Sequence, residues 1–299
     1  MNLLIRDSSK KQLSRPTILL LGTGRSGTTW LAGLLAKPFR YRLLFEPFMP
    51  HHVPNAEYIA DCYYGPDNIP VSVKEFCCRA LNDEIDSAWI AQSSNRKFNM
   101  HRWRFWPKVR ICKDIRSNLF VPSYKSIFGD ELPIVVLMRH PGAVVESFLR
   151  VRFPWAFDIS QLLQQESFAQ IYNIPLSSLR TYTDSDVGKI MVRWVMENVY
   201  LLENADDLGI SIVFYEDLVT NPAQVVETLC VRLDIECATN LSKLVNEASY
   251  TTHPRSPLHS GHYRTISSWK ERLSAENIQT ITQILDIAQV HYPCQMHET

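Results

Sequence analysis

Thr17-Ile18-Leu19-Leu20-Leu21-Gly22-Thr23-Gly24-Arg25-Ser26-Gly27-Thr28-Thr29-Trp30 passes from an apolar run, through a glycine-rich loop, into a helical pattern. The apolar run is short and closed by glycine, which reads as a strand buried on both faces. Leu31, Leu34 and Leu35 follow at helical spacing and stop before Pro38. Only ten glycines occur in 299 residues, yet Gly22, Gly24 and Gly27 fall in this one loop. Glycine lets backbone N–H groups approach an anion closely, and a helix beginning at Thr28 adds the positive end of its dipole. The segment therefore reads as strand, anion cradle, helix.

Further strands are expected at Tyr41 to Phe45, Val109 to Cys112, Ile134 to Met138 and Ile210 to Phe214, mostly β-branched or aromatic in content. Strands separated by helical segments imply an α/β fold with a parallel central sheet flanked by helices. Val187, Ile190, Met191, Trp194, Val195 and Leu202 form one helical stripe, and Ile278, Ile281, Ile284, Leu285 and Ala288 mark a C-terminal helix entered near Ser274. Residues 48–108 and 150–185 show no stable period and read as insertions that shape a pocket above the sheet. A polar leader, 1–16, precedes a single domain, 17–299, without repeats or low-complexity tracts.

Thirty-one basic residues balance thirty-one acidic ones, which argues against a nucleic-acid-coating or polybasic membrane protein. No apolar run approaches the ~20 residues needed to cross a bilayer, and the first fifteen residues lack the apolar core of a secretory signal. The seven cysteines are odd in number and hold no C-x-x-C pair, so neither a disulfide framework nor a zinc site is expected, and the chain reads as cytoplasmic.

The loop follows the spacing of a nucleotide-binding P-loop, but Thr28 stands where that motif requires lysine, and the machinery for a triphosphate and its metal is incomplete. Arg25 supplies a fixed cation instead, which suits a singly charged sulfuryl group that needs no divalent metal. A second motif is Ile134 to Met138 followed by Arg139-His140-Pro141, with Ser147 eight residues beyond the arginine. A strand-end arginine and a first-turn serine hydroxyl can both donate to one phosphate. Together these segments resemble the 5′-phosphosulfate and 3′-phosphate segments of sulfotransferases that use 3′-phosphoadenosine 5′-phosphosulfate. Phe214-Tyr215-Glu216-Asp217-Leu218 is similar to the family's next strand end, where Tyr215 is expected at the adenine. Arg264 to Leu273, with Ser267-Ser268-Trp269-Lys270, resembles a late segment that returns to the 3′-phosphate. The resemblance implies the P-loop-like sulfotransferase fold and donor contacts from Gly24, Arg25, Ser26, Gly27, Thr28, Thr29, Trp30, Arg139, Ser147, Tyr215, Arg264 and Ser267. Trp30 offers adenine a stacking face or a core packing surface.

Sulfuryl transfer needs both partners positioned, a proton removed and developing charge stabilised. In open α/β sheets the ligand crevice lies beyond the carboxyl ends of the strands, which places Gly22, Glu46, Lys113, Arg139 and Tyr215 on one rim. The histidine of the cytosolic branch is missing after Lys113-Asp114-Ile115. Phe45-Glu46-Pro47 instead resembles the carbohydrate and tyrosyl-protein branches, which implies Glu46 as base with Lys113 and Arg25 as stabilisers; Asp114 and His140 are the other candidates for the base. The expected reaction passes sulfate to a hydroxyl of a carbohydrate, glycolipid or phenol-like acceptor, without a metal. The alternatives are a divergent P-loop kinase of small molecules and a non-catalytic nucleotide- or glycan-binding protein.

Between Arg96 and Arg116 eight Lys or Arg residues face one Asp, interleaved with Phe98, Trp103, Phe105 and Trp106. Such a stretch lines a groove for an anionic acceptor or shields acidic segments elsewhere; no nucleic-acid partner is expected. His51-His52 follow the Glu46 turn and stand near the expected acceptor.

Overall fold

The computed structural model describes residues 13–92, 107–239, 241 and 266–293. Five strands, β1 (Thr17–Leu21), β2 (Tyr41–Phe45), β3 (Val109–Lys113), β4 (Ile134–Met138) and β5 (Ser211–Phe214), form one sheet in the order β2-β3-β1-β4-β5. Every pairing is parallel, with Leu19 opposite Cys112 on one side and Ile134 on the other. All of β1, β3 and β4 is buried, as continuous apolar runs require when helices cover both faces.

Successive strand residues serve opposite faces. Leu19, Leu21, Cys112, Val136 and Met138 belong to a larger core, and Ile18, Leu20, Ile111, Val135 and Leu137 to a smaller one. The smaller core is closed by helix α1 (Thr28–Leu35) and a later helix at Pro222–Arg232. The larger one packs α2 (Val71–Leu81), α3 (Val121–Phe128), α4 (Pro141–Val151), α5 (Asp186–Glu203) and a C-terminal helix at Ala275–Ile287. Ser185 caps α5 by accepting the Gly188 N–H, and Ser274 caps the last helix by accepting that of Asn277.

The insertions are more regular than the sequence reading allows. Val73, Phe76, Cys77, Ala80 and Leu81 are the buried stripe of α2, a 3–4 spacing that lies inside the segment 48–108. Short helices also occupy Pro154–Phe157, Ser160–Leu163 and Glu166–Ile171. Two boundaries move by one residue: β3 runs on to Lys113, and β5 opens at Ser211 instead of Ile210. Among the described residues no helix is long and apolar enough to cross a membrane.

The chain leaves β1 towards β2 at one edge and leaves β4 towards β5 at the other, so the sheet's crevice opens between the carboxyl ends of β1 and β4.

Candidate active site

The loop between β1 and α1 sits in that crevice, and its glycines are fixed by what lies against them. A Cβ on Gly22 would stand 2.4 Å from the Leu137 carbonyl oxygen of the neighbouring strand. Gly27 has φ of 96° and lies against the Tyr215 ring, which a Cβ would meet at 2.7 Å. Gly24 is buried beneath Trp155 and Phe148. Ser26 donates its N–H to the Thr23 carbonyl at 3.1 Å, closing the turn, while no side chain caps the first turn of α1. A helix start without a side-chain cap of this kind offers backbone N–H groups to an anion.

Three residues named from the two motifs meet beside this loop. The Arg25 Nε donates to the Ser147 hydroxyl at 3.0 Å, and the Arg139 Nη1 donates to the Arg25 carbonyl at 3.0 Å. The Arg139 guanidinium lies 4.3 Å from the centre of the Tyr215 ring. Arg25 itself is in the left-handed region, with φ of 72°. Burial, with Arg139 and then Arg150 close by, lowers the Arg25 guanidinium to about 10. Like charges held together in this way favour an anionic occupant. The Ser26 Oγ and the Arg139 Nε are buried and make no hydrogen bond. Thr28 is buried against the loop and Thr29 half-buried, whereas Trp30 is 6% exposed and packs edge-on to Tyr215 in the smaller core, so it presents no free stacking face here. Ser267 is exposed and accepts the Lys270 N–H through its carbonyl, without contact to Arg139 or Ser147. Arg264 lies outside the described residues, as do Phe98, Trp103, Phe105, Trp106 and the first part of the leader.

A second cluster forms at the ends of β2 and β3. The Lys113 ammonium donates to Glu46 Oε1 in a buried ion pair, and Lys113 also lies over the Phe45 ring. Glu46 has φ of 45°, its N–H donates to the Lys113 carbonyl at 2.7 Å, and its own carbonyl accepts the Trp89 Nε1–H at 3.2 Å. His52 stacks on Trp89 with ring centres 3.8 Å apart. Trp155 lies between Gly24 of the loop and Arg116, three residues after Lys113. Its ring carries the Arg116 guanidinium at 4.5 Å from its centre, and its edge lies over Gly24.

The two other candidates for the base are occupied otherwise. Asp114 accepts backbone N–H groups from Phe48, Arg116 and Ser117. His140 is the N-cap of α4, its Nδ1 accepting the Gly142 N–H at 3.1 Å while its ring stacks on Trp269. Burial, then the charges of Lys270 and Arg139, lower the His140 imidazole to about 4. The unfolded chain therefore binds more protons than the folded one between about pH 4 and 6.5, and stability rises with pH across that window. After allowance for the ring's partial exposure, the loss on acidification should be about 2 kcal/mol. Asparagine also caps helices, so H140N should lose much less over the same window. Urea midpoints measured through it should diverge; parallel curves would remove His140 as the cause.

Behind the loop, Asp61 receives the Arg193 Nη1 at 3.0 and 3.1 Å on its two oxygens and the Arg116 Nη1 at 3.2 Å. Arg193 also bonds Glu197, and the adjacent Asn198 Nδ2 donates to the Thr23 hydroxyl at 2.7 Å. Helix α5 thus holds the phosphate loop through Thr23 and, through Arg193 and Asp61, the loop that follows Lys113. Sequence reasoning missed this network and the Trp89 contact; the polar residues interrupting the α5 stripe were its only local trace. Among the described residues, no three His, Cys, Asp or Glu side chains are grouped to hold a metal ion.

The family model "Sulfotransferase family" matches residues 16–239. The fold is similar to that of the sulfotransferase domain from the curacin biosynthetic pathway, at a TM-score of 0.51 and 19% identity over 92% of this chain and 98% of that one. A mouse sulfotransferase, SULT7A1, complexed with PAP, aligns at a TM-score of 0.49 and 12% identity over 95% of this chain and 87% of that one. No curated protein sequence matches the chain.

Proposed function

The chain belongs to the sulfotransferase family, and from that premise we propose that it transfers a sulfuryl group from 3′-phosphoadenosine 5′-phosphosulfate to a hydroxyl acceptor, with Glu46 as the base. The observation that carries the reading is the meeting of Arg25, Ser147 and Arg139 beside an uncapped helix start. The repulsion between Arg25 and Arg139 and the two unbonded buried donors, Ser26 Oγ and Arg139 Nε, fit an anionic ligand. The donor supplies an activated sulfuryl group at one end and a 3′-phosphate at the other. Arg139 and Ser147 hold the phosphate, the N–H groups of the 22–30 loop hold the sulfated end, and Tyr215 borders the adenine. Arg25 is bonded to Ser147, and its charge stabilises the sulfuryl group in transfer.

Glu46 takes the acceptor's hydroxyl proton as the new S–O bond forms, and Lys113 stabilises the charge left on the departing phosphate. Lys113 ends the strand next to β1, and Glu46 ends the strand beyond it. The rings of Trp89, Phe153 and Trp155 near the two clusters support an acceptor carried on a ring, saccharide or phenol. The six described cysteines are free thiols, which supports action in a reducing compartment such as the cytoplasm.

The test is a thermal-shift screen with 3′,5′-adenosine diphosphate, the desulfated donor. At a hundred times its dissociation constant the nucleotide adds ~2.7 kcal/mol, which for a chain of 299 residues raises Tm by roughly 4 °C. R139A should abolish most of that shift. A larger shift from ATP with magnesium, or an R139A variant that shifts like the wild type, would overturn the donor assignment.

A further inference from the structure

Glu46 and Lys113 come from different strand ends, and each is followed by a loop that must bend away from the sheet. What ties those loops together is the carboxylate of Asp114, which is entirely buried. Its Oδ1 accepts the N–H groups of Arg116 at 2.8 Å and Ser117 at 3.0 Å, fixing the turn directly after Lys113. Its Oδ2 reaches across to the N–H of Phe48 at 3.1 Å, two residues after Glu46. The Asp114 N–H in turn donates to the Leu20 carbonyl of β1 at 2.9 Å, which anchors the junction to the central strand just below the phosphate loop. Glu46 holds positive φ, a conformation that persists only where its surroundings enforce it. The enforcing contacts are its N–H on the Lys113 carbonyl, Trp89 on its own carbonyl and the Asp114 bond to Phe48.

We propose that Asp114 is a positioning residue for the transfer step, holding the Glu46 turn and the Lys113 turn at the separation from which the carboxylate reaches the acceptor. The inference rests on the reading of Glu46 as base. Three N–H bonds commit this carboxylate to the backbone. A displacement of about 1 Å in a reacting group costs about a hundredfold in rate, and the Phe48 bond is the one that joins the two turns. Burial, and then the charge of Glu46, raise the Asp114 carboxyl to about 6, against the N–H bonds and Lys113 that pull it down.

The variant D114N keeps an oxygen for Arg116 and Ser117 but turns an amide donor towards the Phe48 N–H. It is to be compared with wild type, E46Q and the double variant, using radiolabelled donor with naphthol and octyl glucoside as probe acceptors. The expected result is a fall in kcat of about a hundredfold for D114N, with the dissociation constant of 3′,5′-adenosine diphosphate changed by less than about twofold. In the E46Q background the same change should cost no more than about fivefold, because a misplaced base has already been removed. A residue that merely supports the fold would cost the full factor in both backgrounds, and that additivity overturns the proposal. If D114N fails to unfold cooperatively, D114E, which keeps the charge and shifts the carboxylate by one methylene, replaces it in the same cycle. Loss of cooperative unfolding or of nucleotide binding in both variants also overturns it. E46Q at the wild-type rate would defeat the reading of Glu46 itself; a slow E46Q with an additive double variant defeats the role of Asp114 alone.

Discussion

E46Q is expected to lower kcat by about a thousandfold, in the middle of the range that a positioned general base contributes, while leaving the affinity for 3′,5′-adenosine diphosphate unchanged. The separation follows from the sheet. The residues proposed to hold the donor follow β1 and β4 or lie on α4, whereas Glu46 ends β2, beyond β3. The glutamine is nearly isosteric and retains an oxygen for the Lys113 ammonium, so the geometry of the pair survives and the charge does not. Lys113 is then a buried cation facing a neutral amide, which carries a stability cost of its own. E46D separates the two effects. It restores the charge but withdraws the carboxylate by one methylene, so stability should recover while the rate stays depressed. Initial rates at saturating donor, alongside thermal unfolding of each variant, decide the matter. An E46Q enzyme within tenfold of wild type would leave the base to be sought elsewhere, with Asp114 and His140 already committed to backbone N–H groups.

How much of this was legible in the sequence depends on whether a feature has a local cause. The apolar runs Thr17 to Leu21 and Ile134 to Met138 are buried because both sheet faces are covered, and that requirement is written into each run by itself. Gly27 is likewise local through its positive φ, whereas Gly22 is required by the Leu137 carbonyl of a strand more than a hundred residues away. The partnership of Arg25, Arg139 and Ser147 was legible only through resemblance, because 114 and 122 residues separate the bonded pairs. The helix at Val71–Leu81 carried a readable stripe, obscured by the prolines and polar residues on either side of it. Asp61, Arg193 and Asn198 had no such signal. An aspartate in a loop and polar residues on a long amphipathic helix read as solvated until the fold brings them together, 132 residues apart in the case of Asp61 and Arg193. The direction of the Arg25 side chain was equally illegible: the motif places a cation in the loop, and only the packing of α4 decides that it turns to Ser147.

Removing the Asp61 carboxylate should have the largest effect on stability. Arg193 is 1% exposed at its side chain and Arg116 7%, and both take their buried counter-charge from Asp61. Burial lowers the proton affinity of Arg193, but the charges of Asp61 and Glu197 outweigh it and raise it overall. D61A leaves Arg116 with no ionic partner and Arg193 with Glu197 alone, whose own carboxyl burial pushes up to about 7. Breaking a buried pair from one side costs about 3 to 5 kcal/mol, because a stranded charge cannot reach water, and such a loss is a large part of the 5 to 15 kcal/mol that holds a typical domain folded. The damage should not stay local, since Asp61 also donates its N–H to the Arg116 carbonyl at 2.7 Å and so braces the loop that carries Lys113. Adding R116M removes the cation that has lost its ion-pair partner and fills its volume with an apolar chain, so D61A/R116M should recover about 2 kcal/mol relative to D61A. Urea titrations near neutral pH give both numbers. A D61A loss below about 1 kcal/mol would mean that solvent reaches these arginines, and an R116M change that deepens the loss would mean that the packing of Arg116 on the Trp155 ring, 4.5 Å from its centre, outweighs its unpaired charge.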